Sequence, residues 1–277
     1  MNTLQLSQAL AVFRLEWKKS FFGRRGLWIY LLALMPVILF AGHSLGRLQS
    51  GRPCDFGEDT TVFATVFQVF YLRLLIFFGC VGIFVNLFRG EMLDRSLHFY
   101  FLAPVRREVV MTGKFLAGLT AAIAVFGTST LLQFAGMYAH YDSTMLREYM
   151  LHGNGIMHLA SYFGVTALAC LGYGAVFMVA GIRYRNPIIP AVVIVVWEAI
   201  NGFLPSFLQK LSIIYYLKSL SPLEISPDVP EVFRLLVVNA DPMPGAIAIP
   251  GLVAVSLLLL VVGAWKLRRL EINYSVD

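Results

Sequence analysis

Six apolar runs, each close to the ~20 residues that carry a helix across a bilayer, leave this chain few ways to fold. They span about Leu27–Leu45, Val62–Phe88, Phe115–Ala139, Ile156–Ile182, Pro187–Leu208 and Ala246–Leu267. Only 14% of the 277 residues are charged and 58% are hydrophobic, where a soluble domain carries roughly a quarter charged residues. No polar stretch is long enough to bury a second core. The expected structure is an all-α membrane protein, one transmembrane domain over residues 1–277 with six spans.

Lys and Arg set the expected orientation. Arg14, Lys18, Lys19, Arg24 and Arg25 precede the first run. Arg89, Arg95, Arg106, Arg107 and Lys114 follow the second, Arg183 and Arg185 the fourth, and Lys266, Arg268 and Arg269 the last. In a six-span topology these regions share one side. The other side has only Arg47, Arg52, Arg147, Lys210, Lys218 and Arg234. The positive-inside rule then puts both termini in the cytoplasm of a protein of the plasma (inner) membrane. The net charge of +6 reads as topology anchoring, with no nucleic-acid partner implied.

Two further elements stand out. Within residues 1–26, Leu6, Leu10, Phe13, Trp17 and Phe21 recur at helical spacing, with Arg14, Lys18 and Lys19 off that stripe. This predicts an interfacial helix on the lipid bilayer, its cations near anionic headgroups. The segment is too long and amphipathic for a typical signal peptide, and the first apolar run is expected to be retained. Residues 209–245 form the longest outer loop, apolar for its place and divided by Pro222, Pro227 and Pro230. Short helices on or dipping into the outer face are expected there.

Catalytic constellations are missing. There is no phosphate loop, since Gly113-Lys114 lacks both the earlier glycine and the following hydroxyl. There is no H-E-x-x-H and no G-x-S-x-G. Cys80 and Cys170 lie in apolar runs and Cys54 is alone in a polar loop, so no disulfide framework is expected. Glu148, His152 and His158 are the nearest approach to a metal set, but Gly153 and Gly155 interrupt the helix that would align them. No metal and no cofactor of the chain's own are expected. An intramembrane enzyme using Glu198 or the Glu148/His152/His158 group, or a scaffold without a transport path, remain as alternatives to transport.

Two charges fall inside runs, where charge is costly. Arg73 and Glu198 sit at matching depth, ~15 Å from the outer surface at ~1.5 Å per residue. An ion pair is expected, either lining a polar pathway or fixing the packing. Asn201, three residues after Glu198, shares its face.

Between the second and third runs lies RGEMLDRSLHFYFLAPVRREVVMTGK, Arg89–Lys114. Met92, Leu93, Leu97 and Phe101 recur at three- to four-residue spacing, Glu91, Asp94, Arg95 and His98 take other faces, and Pro104 ends the helix. The residues alone allow either a connecting helix in the headgroups or a surface on which a soluble partner pushes. The pattern from Phe88 to Phe115, F-R-G-E-x-x-x-x-S-L-x-x-x-x-L-A-P-V-R-R-x-x-x-x-x-G-K-F, resembles the cytoplasmic coupling region of ABC transporter permeases of the type-2 exporter family. The matching positions are Glu91, Pro104-Val105, Arg106-Arg107 and Gly113-Lys114. The wider plan is similar too, through the amphipathic first helix, the six spans and Ser221-Pro222 before the last one.

That resemblance implies a non-enzymatic permease subunit of an exporter that acts as a homo- or heterodimer. A separate ATPase subunit would bind ATP and Mg. Residues 92–102 would form the helix that docks on the ATPase, with Glu91, Met92, Arg95, Leu97, His98 and Phe101 at the contact. Pro104, Arg106 and Arg107 would form the turn carrying its motion toward Lys114, and the arginine pair would face acidic ATPase residues or anionic lipid.

Overall fold

A computed structural model describes residues 3–22, 26–50, 55–94, 96–184, 186, 188–223 and 243–269. Arg24, Arg25, Arg52, Cys54, Arg95, Arg185, Pro187, Pro227, Pro230 and Arg234 lie outside the described residues, as do the side chains of Phe21, His98 and Phe101. Among the described residues the fold is all-helical, without strands.

Five helices are long and apolar enough to cross a membrane: α2 (Leu27–Ser50), α3 (Phe56–Leu93), α5 (Arg107–Tyr138), α7 (Gly155–Arg183) and α10 (Gly245–Arg268). They make the protein a membrane-embedded, multi-pass one. Shorter helices join them: α1 (Thr3–Phe22), α4 (Leu97–Leu102), α6 (Ser143–Leu151), α8 (Ile188–Ala199) and α9 (Ile213–Leu220). At ~1.5 Å per residue the 38-residue α3 is ~57 Å long, well beyond the ~30 Å hydrocarbon thickness. It therefore reaches past the second apolar run at both ends, bringing Asp59 and Glu91 into the folded core. Asp55 caps its start by accepting from the Gly57 amide at 2.9 Å. Two stretches of α3, Val66–Leu75 and Val81–Val85, are wound as π-helix.

The core forms where α3 meets α5 and α7. Phe63 and Phe67 pack edge-on to Tyr162, and Phe77 packs against Tyr173 and Phe177. Tyr71 satisfies its hydroxyl on the Phe126 carbonyl at 2.6 Å, and Thr130 bonds Thr166 at 2.9 Å across α5 and α7. Without a hydrophobic force between helices in lipid, close packing and such bonds hold the bundle. A Cβ on Gly181 would lie 3.1 Å from both Cα and O of Val85, so α7 runs almost backbone to backbone along α3 there.

The fifth expected span is not one helix. Pro187–Leu208 resolves into α8, which stops at Ala199, a 3₁₀ turn at Asn201–Phe203 and a single turn at Ser206–Gln209. Pro205 lacks an amide hydrogen and disfavours helical backbone in the residue before it, and Leu204 is extended with ψ 153°. Pro222 follows α9. Of the short helices expected over 209–245, α9 goes in and does not lie on a face: Ile213–Leu217 are buried between α7 and α10. Ile213 lies against Gly172, Tyr216 against Gly251, and Leu220 against Gly245, so α9 runs antiparallel to the start of α10. Helices α7 and α10 run parallel, with Gly172 beside Leu252 and Val179 beside Gly263.

Candidate functional site

The charged segment between α3 and α5 is built around Lys114, 0% exposed. Helix α3 delivers Glu91 from its last turn. It ends at Leu93, the chain turns at Asp94, and the Ser96 amide bonds back to the Glu91 carbonyl at 2.9 Å. Helix α4 then presents Tyr100. Arg106 has extended backbone (φ −64°, ψ 136°) and opens α5 two turns before Lys114. A Cβ on Gly113 would lie 2.8 Å from both the Ala9 carbonyl oxygen and Val12 Cβ. Glycine at 113 thus lets α1 lie directly on α5, which brings Glu16 over Lys114.

Lys114 Nζ then sits 2.7 Å from Glu16 Oε1 and 2.8 Å from Glu91 Oε2, and 4.4 Å from the Tyr100 ring centroid. Tyr100 donates to Glu16 Oε1 at 2.6 Å. Lys19 closes the ring from the rim, 3.0 Å from Glu91 Oε1 and 3.6 Å from Glu16 Oε1. Two cations and two carboxylates thus balance in a buried site, the condition under which such charges are tolerated. Burial pushes the Glu16 carboxyl up, but the Lys114 charge and hydrogen bond, with Tyr100 and Lys19, outweigh it and hold Glu16 below its ordinary value. Burial and then the bond to Glu16 push the Tyr100 phenol far up. The cluster locks α1, α3, α4 and α5 into one body.

What that body shows to solvent differs from the expected docking face. Leu97 is 0% exposed and Met92 half-buried, and Glu91 is spent on the cluster. A side chain already enclosed by its own chain cannot dock a partner, so Leu97 is a packing residue. Among the described side chains of this segment, the exposed large apolar ones are Leu93 (67%), Phe99 (66%) and Leu102 (78%). The expected single helix over 92–102 is instead two, one ending at Leu93 and the next starting at Leu97, and Leu97 points inward while Phe99 points outward. Pro104 is exposed in the turn, its carbonyl accepting from Gln8 at 3.4 Å. Arg106 is exposed. Arg107 instead caps α10, donating to the Leu267 and Arg268 carbonyls at 3.1 Å each, and Arg268 pairs with Glu108. This ties the end of α10 to the start of α5.

Helix α1 packs its Ala9 and Glu16 face on α5 and leaves Leu6, Leu10 and Trp17 exposed. The apolar stripe is thus turned outward. Lys19 is committed to the carboxylates, and burial, which would lower it, is outweighed by the bond to Glu91 and the nearby charges, so it is held above its ordinary value.

Arg73 and Glu198 do meet, but not as the expected carboxylate–guanidinium pair. Arg73 Nη2 donates to the backbone carbonyl of Glu198 at 3.3 Å. The Glu198 carboxylate caps α9, accepting from Ser212 Oγ at 2.6 Å and from the amides of Ile213 and Ile214 at 3.0 and 3.1 Å. The free amides and positive end of a helix draw a carboxylate more strongly than distance along the chain suggests. Asn201, fully buried, donates to the Gln209 carbonyl at 3.3 Å. Glu198→Ala should therefore destabilise the fold by about 1–3 kcal/mol for each donor left bare, and Glu198→Gln by less. The charge-swapped double Arg73→Glu, Glu198→Arg should not rescue either single variant. Unfolding of the purified protein in mild detergent reads every one of these variants, and a rescued swap would count against the capping role.

Glu148, His152 and His158 do not converge. Glu148 lies in α6, His152 is exposed beyond its end, and His158 Nδ1 lies 2.9 Å from the Tyr149 hydroxyl. Among the described residues no three metal-type ligands are placed to hold an ion. Sequence reading missed Glu16, Lys19, Tyr100, Phe99 and Leu102. One signal was available: Glu16 is the only acidic residue before Asp55. Compared with protein-family models and with curated proteins, the chain finds no match.

Proposed function

We propose that this chain is the membrane-spanning permease subunit of an ATP-driven exporter, worked by a separate ATPase that docks on the α3–α5 segment. The observation that carries the reading is the pairing of an exposed apolar tip with a rigid base. Beside Leu93 at the end of α3, Phe99 and Leu102 project from α4, a short helix that would otherwise be free to tilt. Lys114, Glu91, Glu16 and Tyr100 fix that helix to α5. Force on the tip passes into α5, and through Arg107 into α10, without being lost in a flexible loop. A connecting helix that merely rested in headgroups would gain nothing from burying a lysine between two carboxylates.

In this reading the chain crosses the membrane six times, with both termini cytoplasmic. Helices α7 and α10 run parallel, so the chain between them returns across the bilayer. Helix α8 (~18 Å) and helix α9 (~12 Å) together make that crossing, broken in the middle between Ala199 and Ile213, where Asn201 and Ser212 turn inward. The exposed apolar stripe of α1 lies in the cytoplasmic leaflet. A second permease subunit completes the pathway, and ATP and Mg belong to the ATPase.

The test is purification of the full chain from its native membrane in gentle detergent. An ATPase subunit bearing a phosphate loop is expected at about equal stoichiometry, with ATP hydrolysis stimulated by the permease. A chain isolated without one would favour the scaffold reading.

A further inference from the structure

Deep in the bundle, where α8 stops and the chain turns toward α9, Arg73 of α3 and Tyr173 of α7 lie buried, 5% and 0% exposed. Tyr173 packs edge-on to Phe77, four residues past Arg73 on α3, and it feels the charges of both Arg73 and Glu198. The stretch of α3 that carries Arg73, Val66–Leu75, is the longer of its two π-wound segments. Such winding is rare, and where it occurs it is frequent at functional sites.

The two facing helix ends are filled by the chain itself. The Glu198 carboxylate takes the Ser212 hydroxyl and two amides at the start of α9. Arg73 Nη2 takes the Glu198 carbonyl, one of the free carbonyls that end α8. What remains is a surplus of donors. Arg73 Nη1 has no hydrogen-bond partner among the described residues, and neither has the Tyr173 hydroxyl. The Asn201 Oδ1 acceptor is also unpartnered, so neither donor reaches it.

Charge points the same way. Arginine stays protonated in proteins, and the oxygen that Arg73 meets is a neutral carbonyl, while the nearby carboxylate is held by α9. The end of α8 supplies about half a negative charge. Roughly half of the guanidinium's charge is therefore left without a counterion in a buried site, where such charge is costly. A water accepts both bonds but leaves that charge in place. A phosphate group brings more charge and more oxygens than two donors match.

We propose that Arg73 Nη1 and the Tyr173 hydroxyl together hold a small monovalent anion, either a free halide or the carboxylate of a larger molecule. The π-wound turn and the break between α8 and α9 set the two donors at one depth in the bundle. The site stands on these buried groups and does not depend on the transport reading.

Unfolding of the full chain in mild detergent tests the site. Sodium bromide or sodium acetate replaces sodium gluconate, an anion too bulky to enter, at fixed ionic strength. A saturable rise in the unfolding midpoint is expected. A rise with bromide and not acetate identifies a free halide, and a rise with acetate identifies a carboxylate. Tyr173→Phe removes a hydroxyl that has no protein partner, so no group is stranded and the variant should fold as the native chain does in gluconate. Its half-saturating anion concentration should be about tenfold higher, the loss of one hydrogen bond to a charged group. Arg73→Gln should lose the saturable response, and Tyr173→Phe carries the test if that chain fails to fold. General salt effects act on all three chains alike, so the difference between chains is what counts. A native midpoint that is the same in all three salts would overturn the proposal, as would an anion response left unchanged by Tyr173→Phe.

Discussion

Lys114→Met is expected to destabilise the folded chain by about 3–5 kcal/mol, the cost of breaking a buried ion pair by removing one partner. The loss is large because Lys114 serves two carboxylates. Glu16 is 2.7 Å away and Glu91 2.8 Å, both are buried, and Lys19 stands at the exposed rim where solvent screens it. Methionine fills the lysine's volume, so a cavity does not explain the effect. Chemical unfolding in detergent measures it, and the double variant Glu91→Gln, Lys114→Met should lose less than the two single losses summed, since it removes a stranded charge. A Lys114→Met chain within about 1 kcal/mol of the native one would show that the cluster does not hold α1 and α4 in place. Acid should act in the same direction. Glu16 is held below its ordinary 4.5, so its contribution is present above about pH 4.5 and is lost as pH falls through its lower folded value.

The legible and illegible parts of this chain separate on physical grounds. Five of the six apolar runs became long helices because their length and composition leave a peptide group no other partner in lipid. The fifth run has the same composition, yet Pro205 and the pull of Glu198 on the α9 amides broke it in the middle. A hydropathy count cannot see a carboxylate folding back fourteen residues to cap a helix. The charged segment was visible as an interruption, and Glu91 and Gly113-Lys114 marked positions that the fold does use. Their role was not readable, because it depends on Glu16, 98 residues away in sequence, and on glycine letting α1 approach.

The face of α4 was misread for a related reason. Periodicity from Met92 to Phe101 assumes one continuous helix, and the break between Leu93 and Leu97 shifts the phase so that Leu97 goes in and Phe99 comes out. The buried cluster of His43, Asp59 and His140, at the end of the bundle away from Lys114, gave still less warning. His43 lies on α2, Asp59 on α3 and His140 just past the end of α5, and they share no spacing, so only the assembled bundle brings them together.

Phe99→Asp combined with Leu102→Asp is expected to abolish ATPase-coupled function while leaving the fold intact. Both side chains are exposed, and surface substitutions away from packing features shift stability by about 0.5 kcal/mol or less. An apolar anchor seated in a partner's cleft commonly carries about 2 kcal/mol or more, so two buried aspartates should weaken docking about a thousandfold. Leu97→Asp makes the contrast. It buries a charge inside the chain's own core, and its loss of function should come with a lower unfolding midpoint and poorer membrane yield. Three measurements on each variant separate the cases: ATPase recovered on co-purification, permease-stimulated ATP hydrolysis, and unfolding of the isolated chain. If the Phe99→Asp, Leu102→Asp chain still brings down its ATPase at native stoichiometry, the tip of α4 is not the docking surface and the transport reading loses the observation that carries it. If that chain is stable but uncoupled, and the Lys114→Met chain is uncoupled in proportion to its loss of stability, then the tip receives the force and the buried lysine holds the tip in position.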